Sequence, residues 1–362
     1  MPLKPKKPIK VAIADLGKSF GGGQRQAYNL ARMLSERGVV SCVYAYPDGL
    51  LLHKCRKLGL NCHPLAYDGL RITFDAFFAA DTLRKEGATI FHASDTRGHM
   101  LGALAKLFYP DLKLVVTSRT ILTNPNWLSK KFKYSSPPVD MFVAVCEAVG
   151  EHLKKIGVDE DRINVINSGV DLQYFNDKNR TATDTFALGT ACTLHENKGV
   201  DIILKALSKV KDELGQFRFK VAGKGPLRSH LQNMSLDLGL RDNIEFLGFV
   251  DEMRGFYRSL DVYILASFSE GIAGSLIEAG ACGAVPVGSN VGGVPEVIED
   301  NINGMLFTAG DFDMLAGIIL KLANESILRE KLSAEFKNRL HRFDIRKLAD
   351  KHMRLYERLI TQ

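Results

Sequence analysis

The sequence predicts an α/β protein made of two doubly wound, parallel-sheet domains in tandem. Three observations carry that expectation. Short β-branched runs alternate with amphipathic runs of helical period along most of the chain. One polar stretch, Asn176 to Asp184, interrupts the alternation, which then restarts. Finally, 362 residues exceed one domain of the commonest size, and 46% hydrophobic residues supply apolar surface for two cores.

In the first half, strands are expected at Lys10–Asp15, Val39–Tyr46, Asn61–Ala66, Thr89–Ala93, Leu112–Thr117, Met141–Val145 and Asn164–Asn167. Helices are expected between them at Gln24–Arg37, Leu50–Leu58, Phe74–Lys85, Arg97–Leu107 and Glu147–Ile156. Strands separated by helices form βαβ units, hence a parallel sheet. The run Met141-Phe-Val-Ala-Val145 offers no polar face to water, as suits a strand covered on both sides. After the polar stretch come strands Phe186–Cys192, Phe217–Ala222, Ile244–Leu247, Val262–Ala266 and Val285–Val287. The run Arg346–Leu359 reads as a helix with Leu348, Met353, Leu355, Tyr356 and Leu359 apolar. The implied domains are residues 1–180 and 181–345, with 346–362 a terminal helix. In such sheets ligands sit at the carboxyl ends of the strands, so the chemistry is expected on the loops that follow them.

A formal charge of +7 suits a phosphorylated ligand, an anionic membrane surface, a nucleic acid, or simply a basic soluble surface. No apolar run reaches the roughly 18–20 residues that span a bilayer. The start, Met1-Pro-Leu-Lys-Pro-Lys-Lys-Pro8, lacks the apolar core of a secretion signal, and a cytoplasmic location is expected. Six scattered cysteines form no C-x-x-C pair and are expected to be reduced. His53, Cys55, Cys62 and His63 are close in sequence, but the helix and strand carrying them would point them apart, so no metal is expected there.

The most informative segment is Ser267-Phe-Ser-Glu270-Gly271-Ile272-Ala273-Gly274-Ser-Leu-Ile-Glu278. Two carboxylates eight apart bracket a strand-to-helix turn whose glycines allow close backbone approach. Exposed N–H groups at such a helix start can hold an anion. The plainer alternative is an acid favouring the helix dipole and an ordinary surface glutamate.

This segment resembles the E-x7-E motif of the retaining group 1 (family 4) glycosyltransferases, whose GT-B fold is two Rossmann-like doubly wound domains facing across a cleft. The resemblance runs along nearly the whole chain, and it implies that the terminal helix, residues 346–362, crosses back onto the first domain. Gly21-Gly22-Gly23-Gln24-Arg25 is similar to the family's glycine loop opening the first helix. Ala144-Val-Cys-Glu-Ala148 and Ile166-Asn-Ser-Gly169-Val170-Asp171 are similar to the end of its first domain. Lys198-Gly199-Val-Asp201, Val221-Ala-Gly223-Lys-Gly225-Pro226, Glu278-Ala-Gly-Ala-Cys-Gly283 and Gly292-Gly293-Val-Pro295-Glu296 follow in the family's order. Each match is short; their joint order and spacing are specific.

The resemblance implies transfer of a hexose-type sugar, with retention, from a nucleotide-sugar donor to a hydroxyl of a glycan or glycolipid. A UDP-sugar is the first candidate donor, and no metal or other cofactor is implied. Lys198 would pair with the donor diphosphate, and backbone N–H groups at Gly21 and Gly22 would face the same phosphates. Glu270 would meet the sugar hydroxyls and Glu278 the ribose. Backbone around Gly248–Phe249 would meet the base, and Gly271, Ile272, Ala273 and Gly274 would shape the sugar pocket. Fixed donors aimed at the departing phosphate oxygen are the expected catalytic element. No enzyme nucleophile flanking the sugar, as in hydrolases, is implied.

Two departures matter. Thr193 stands where the family usually has an arginine before the diphosphate lysine, so that charge partner is either missing or supplied by Arg25, Arg119 or Lys224. The first domain reads Thr117-Ser118-Arg119 where many members carry a T-x-H segment. In Phe91-His92-Ala-Ser-Asp95, the aspartate resembles a loop aspartate of lipopolysaccharide-core glucosyltransferases, which also carry T-S-R. Asp95 is thus expected near the acceptor hydroxyl, with His92 as a further acceptor or phosphate contact. The alternatives are Asp95 as a helix N-cap and His92 as a packed strand-end residue. The same likeness points to lipopolysaccharide or another surface glycan.

Other patterns carry less. Leu16-Gly-Lys-Ser19 is not a P-loop, since Ala12 stands where the first glycine belongs. Gly21–Gly23 lacks the G-x-G-x-x-G spacing, and Asp311-Phe-Asp313 reads as an N-cap rather than a metal motif. Trp127, Lys130, Lys131, Phe132 and Lys133 mix aromatic and basic residues, as at an anionic membrane surface; a loop packing its tryptophan is the alternative. An epimerase of the same fold and a donor-binding pseudoenzyme remain open. A nucleic-acid binder is disfavoured by the absence of an aromatic-basic strand motif.

Overall fold

The structure is a computed structural model describing residues 8–18, 20–66, 71–121, 138–175 and 185–361. The basic N-terminal run up to Lys7, Ser19, the Trp127 segment and the polar stretch Asn176 to Asp184 lie outside the described residues. The chain divides into two compact units. The first is Met1–Gly169 with Ile345–Gln362, and the second is Val170–Asp344. The division falls before residue 180, and the terminal helix belongs to the first unit.

The first unit holds a seven-stranded parallel sheet: β1 (Val11–Asp15), β2 (Val40–Ala45), β3 (Cys62–Pro64), β4 (Ile90–Ala93), β5 (Lys113–Ser118), β6 (Met141–Ala144) and β7 (Ile163–Val165). Their spatial order is β3-β2-β1-β4-β5-β6-β7, so it reverses between β1 and β4, where Ala14 lies beside Ala93. Every residue of β1 is buried, which is why an uninterrupted apolar run signalled it.

The second unit holds a six-stranded parallel sheet: β8 (Phe186–Ala191), β9 (Phe217–Ala222), β10 (Ile244–Gly248), β11 (Val262–Leu265), β12 (Val285–Ser289) and β13 (Met305–Phe307). Their order is β10-β9-β8-β11-β12-β13, reversing between β8 and β11. β13 was not expected, since Met305-Leu-Phe307 has no β-branched residue to signal a strand. Asp311 caps helix Phe312–Asn324 by accepting from the Met314 N–H at 2.8 Å. Within this unit, helix Gly274–Ala281 lies so close to helix Ser326–Arg339 that a Cβ on Gly280 would stand 2.1 Å from the Phe336 ring.

The terminal helix, Ile345–Thr361, seats Leu355, Tyr356 and Leu359 in the same core cluster as Val11, Ile13 and Val43. Beneath it, His92 of β4 is wholly buried. Its Nδ1 lies 2.5 Å from the Tyr356 hydroxyl and its Nε2 2.6 Å from Thr117 Oγ1. Expected among ligand contacts, His92 is instead a strut between the sheet and the last helix. His352 Nδ1 donates to the Leu348 carbonyl at 2.8 Å. Burial first, and neighbouring cationic groups after it, lower both histidines, His352 to about 4. Among the described residues no helix is long and apolar enough to cross a membrane.

Two outcomes are expected. The native state keeps these histidines neutral while the unfolded chain protonates near pH 6.5, so their contribution is complete above that value and is lost on acidification toward pH 4. Urea unfolding across that window should show stability falling by about 1.4 kcal/mol per pH unit for each such histidine. His352→Leu should flatten the slope; parallel slopes would refute this account. Gly280→Ala should destabilise the second unit by about 1–3 kcal/mol through overpacking against Phe336, read by thermal unfolding.

Candidate functional site

In the second unit, the loops after β8 and β11 emerge side by side at the reversal of strand order, where doubly wound sheets bind ligands. Their approach is unusually close. Gly199 has φ +59°, and a Cβ there would stand 2.1 Å from the Ala266 carbonyl oxygen. Only glycine permits both the left-handed backbone and that contact. The Phe268 N–H donates to the Asn197 carbonyl at 2.9 Å, sewing the loops together.

This register brings Lys198 Nζ to 2.5 Å from Glu270 Oε1. Ser267 Oγ donates to the same oxygen at 2.7 Å, while the Ser267 carbonyl accepts from Ser289 Oγ at 2.5 Å. From the other side, Gly292 (φ +52°) lies so near that a Cβ would meet the Glu270 carbonyl oxygen at 1.8 Å. Glu270 is therefore fixed through both main chain and carboxylate. Both members of the pair keep part of their surface in solvent. The arrangement offers an incoming ligand a cation suited to phosphate and a carboxylate able to accept from hydroxyls.

Glu278, on helix Gly274–Ala281, is only 4% exposed. Its Oε2 accepts from the Tyr257 hydroxyl at 2.9 Å, and Tyr257 is itself buried on helix Met253–Arg258. Gly271, Ile272 and Ala273 form the turn into helix Gly274–Ala281, with the Gly274 N–H donating to the Ile272 carbonyl. Thr193 is exposed in the loop after β8; beside it, the Leu194 N–H donates to the Lys224 carbonyl at 3.0 Å. Gly248 ends β10, its carbonyl accepting from the Gly223 N–H at 2.6 Å. The donor-side residues expected in this unit thus lie at the end of a strand, on the loops that follow strands, or on the helix after β11, all around one sheet.

In the first unit, a second polar cluster occupies the equivalent reversal, between β1 and β4. Asp95 Oδ1 accepts from the Gly98 N–H at 2.8 Å and from the Leu16 N–H at 3.2 Å. It is the N-cap of helix Thr96–Phe108 and also ties that helix to the loop after β1. Arg119, after β5, donates to the Ser94 carbonyl at 2.7 Å, with Nη1 3.9 Å from Asp15 Oδ2. Burial, then the charge of Asp95, raises the Asp15 carboxyl, and Arg119 opposes them. Gln24 Nε2 donates to the Gly17 carbonyl. Gly21 is the N-cap of helix Gly22–Ser35 and accepts from the Arg25 N–H at 3.0 Å; both Gly21 and Gly22 are exposed. Asp95, Thr96, Arg97 and Met100 line an open pocket.

Sequence reasoning did not single out Asp15, Gln24 or Ser94. Gln24 Oε1, Ser94 Oγ and Arg119 Nε are buried without a protein partner, three of five such side-chain atoms among the described residues. A usable signal existed for Asp15, a lone acid closing the apolar run Val11-Ala-Ile-Ala14 at a strand's carboxyl end. Among the described residues no group of three or more His, Cys, Asp or Glu is placed to hold a metal ion, and all six cysteines are free.

Residues 175–339 match the family model for group 1 glycosyl transferases, and residues 20–174 match that for glycosyltransferase family 4. The amylovoran biosynthesis glycosyltransferase AmsK of Erwinia amylovora is 32% identical over 177 residues, which are 46% of this chain and 44% of that protein. The aligned stretch is thus less than half the length of that relative. A glycosyltransferase from Rickettsia africae ESF-5 shares the fold with a TM-score of 0.86, over 98% of this chain and 99% of its own, at 22% identity. Anabaena Alr3699/HepE, in complex with UDP and glucose, does so at 0.84, over 96% and 99%, with 19% identity.

Removing the Tyr257 hydroxyl deprives a buried carboxylate of a donor. Tyr257→Phe should therefore lower stability by about 1–3 kcal/mol in denaturant titrations, and an unchanged midpoint would show the bond to be energetically idle.

Proposed function

The chain belongs to the group 1, family 4 glycosyltransferases, with two Rossmann-like domains of the GT-B fold, and from that premise we propose the reaction it catalyses. It moves a hexose-type sugar, with retention, from a UDP-sugar to a hydroxyl of a glycan or glycolipid destined for lipopolysaccharide or another surface polysaccharide. The observation that carries this reading is the Lys198–Glu270 pair, fixed at the strand-order reversal yet partly open to solvent.

In this proposal a diphosphate takes Lys198 from Glu270, and the lysine then stabilises the negative charge that grows on the departing phosphate oxygen. Glu270, released, accepts from hydroxyls of the sugar. Glu278, held by Tyr257, meets the ribose, and the backbone at Gly248–Phe249 meets the base. Thr193 contributes no charge, so Arg25, Arg119 or Lys224 supplies the second phosphate partner, with N–H groups at Gly21 and Gly22. Asp95 serves the acceptor hydroxyl, although one of its oxygens is already engaged as a cap. No metal or other cofactor takes part.

Two relatives support the choice of substrates. Anabaena HepE was crystallised with UDP and glucose, and AmsK is named for the biosynthesis of amylovoran. We place the enzyme in the cytoplasm at the inner membrane face, on the strength of its +7 charge and the aromatic-basic composition around Trp127, a segment outside the described residues.

A thermal-shift and turnover screen of UDP-, GDP- and ADP-sugars tests the proposal. UDP-sugars should stabilise the protein, and Lys198→Ala should weaken their binding by about tenfold to a hundredfold, the cost of one hydrogen bond to a charged group. Conversion of the donor without an acceptor would favour an epimerase. Binding without transfer or hydrolysis would favour a pseudoenzyme, and no binding at all would refute the donor site.

A further inference from the structure

Helices Ile72–Lys85 and Thr96–Phe108 pack side by side on the first unit. Their inward positions are small or aliphatic, among them Ala76, Ala79, Leu83, Leu101 and Ala105, all buried. Of their ten exposed positions six are large and apolar, which an ordinary surface helix does not show. Phe74 is 70% exposed, Phe78 63% and Leu107 67%, with Phe77, Met100 and Phe108 exposed beside them. The Phe77 and Phe108 rings meet edge-on at 5.4 Å, which joins the two helices' outer faces into one surface. Six of the sixteen large apolar side chains exposed among the described residues lie here, so they form a patch rather than the usual scatter.

Three features identify what covers it. The rings protrude instead of lining a cavity, so they are built to enter another medium, not to enclose a small molecule. Cations stand at both ends of the first helix, Arg71 at its start and Arg84 and Lys85 at its close, all exposed. Arg84 donates to the Phe108 carbonyl at 2.8 Å and lies 5.1 Å over the Tyr109 ring, which holds its charge at the patch edge. Asp81 is paired with Lys85 at 2.6 Å, so those two charges offset each other and Arg71 and Arg84 carry the rim, while Asp75 is half-buried. An apolar centre with a basic rim matches the acyl chains and anionic headgroups of a bilayer surface. Finally, Met100 borders both the patch and the pocket of Asp95, Thr96 and Arg97. An amphiphile whose tail lies on this face therefore presents its polar head to the candidate acceptor carboxylate.

We propose that this face of the first unit docks on an anionic membrane, with the phenylalanines at acyl-chain depth and Arg71, Arg84 and Lys85 among the headgroups, and that the acceptor is lipid-anchored. The acceptor half of the statement rests on the reading of the first unit as the acceptor side; the docking half does not.

The test is co-sedimentation of the full chain with vesicles of phosphatidylcholine and phosphatidylglycerol, beside vesicles of phosphatidylcholine alone, with no donor or acceptor present. Wild type should partition onto the mixed vesicles. Phe74→Ser with Phe78→Ser should weaken partitioning by at least about tenfold, the effect of withdrawing one fully buried ring. Arg71→Glu with Lys85→Glu should weaken binding to the mixed vesicles while leaving the weaker binding to phosphatidylcholine alone unchanged. Both pairs alter exposed side chains, and an unchanged circular dichroism spectrum confirms their fold. The UDP-sugar thermal shift, measured on the same variants, separates a failure here from a failure of the donor site. Wild type that stays in the supernatant, or a phenylalanine variant that binds as well as wild type, would overturn the proposal. So would a dimer in light scattering that the serine substitutions dissociate, since the patch would then be an interface between two copies.

Discussion

Whatever the second unit does with a ligand depends on how closely its loops approach one another at the carboxyl edge of the sheet. Lys198 and Glu270 are 72 positions apart in sequence and meet at 2.5 Å because no side chain stands between their backbones. Gly199 admits the Ala266 carbonyl and Gly292 admits that of Glu270, each in a left-handed conformation. A methyl group at either would push the loops apart by more than the ion pair tolerates. The chemistry of the site is thus specified as much by the missing Cβ atoms as by the charges.

The two units use the same architectural solution for different polar sets. Each sheet reverses its strand order once, and the loops diverge there, which is where doubly wound sheets leave an opening for a ligand. In the second unit the opening is furnished with a partly exposed ion pair, which a charged ligand can rearrange. In the first it is furnished with Asp15, Asp95 and Arg119, knit to backbone N–H and carbonyl groups. That cluster also retains buried polar atoms without partners.

Much of the fold was legible because strands covered on both faces must be apolar throughout, and β1, β6 and β11 advertise themselves that way. β13, Met305–Phe307, is apolar as well, but it is short and has no β-branched residue, so it did not stand out. Lys198, Glu270 and Glu278 were legible from a motif of fixed spacing. Tyr257 was not, since a tyrosine in an amphipathic run reads as core until the partner of its hydroxyl is known. The same holds for His92 and Tyr356, whose contact joins residues 264 positions apart. The apolar outer face of helix Ile72–Lys85 was concealed differently. Its inner face is largely alanine, so the phenylalanines look like the buried side until burial is observed. Polar composition suggested a boundary near residue 180, whereas packing divides the chain at Gly169.

That division has a consequence for how the chain comes to be folded. The first unit is left at Gly169 and resumed only at Ile345, and those two residues lie against each other, with Ile345 Cα 2.8 Å from where a Cβ of Gly169 would be. The whole second unit is therefore spliced into the first as an insertion. During synthesis from the N-terminus, the seven-stranded sheet leaves the ribosome without Leu355, Tyr356 and Leu359, and His92 waits without its hydroxyl partner. The first unit to be translated is the last to be completed, and until residue 361 emerges one face of its core stands open to water and to whatever chaperone covers it.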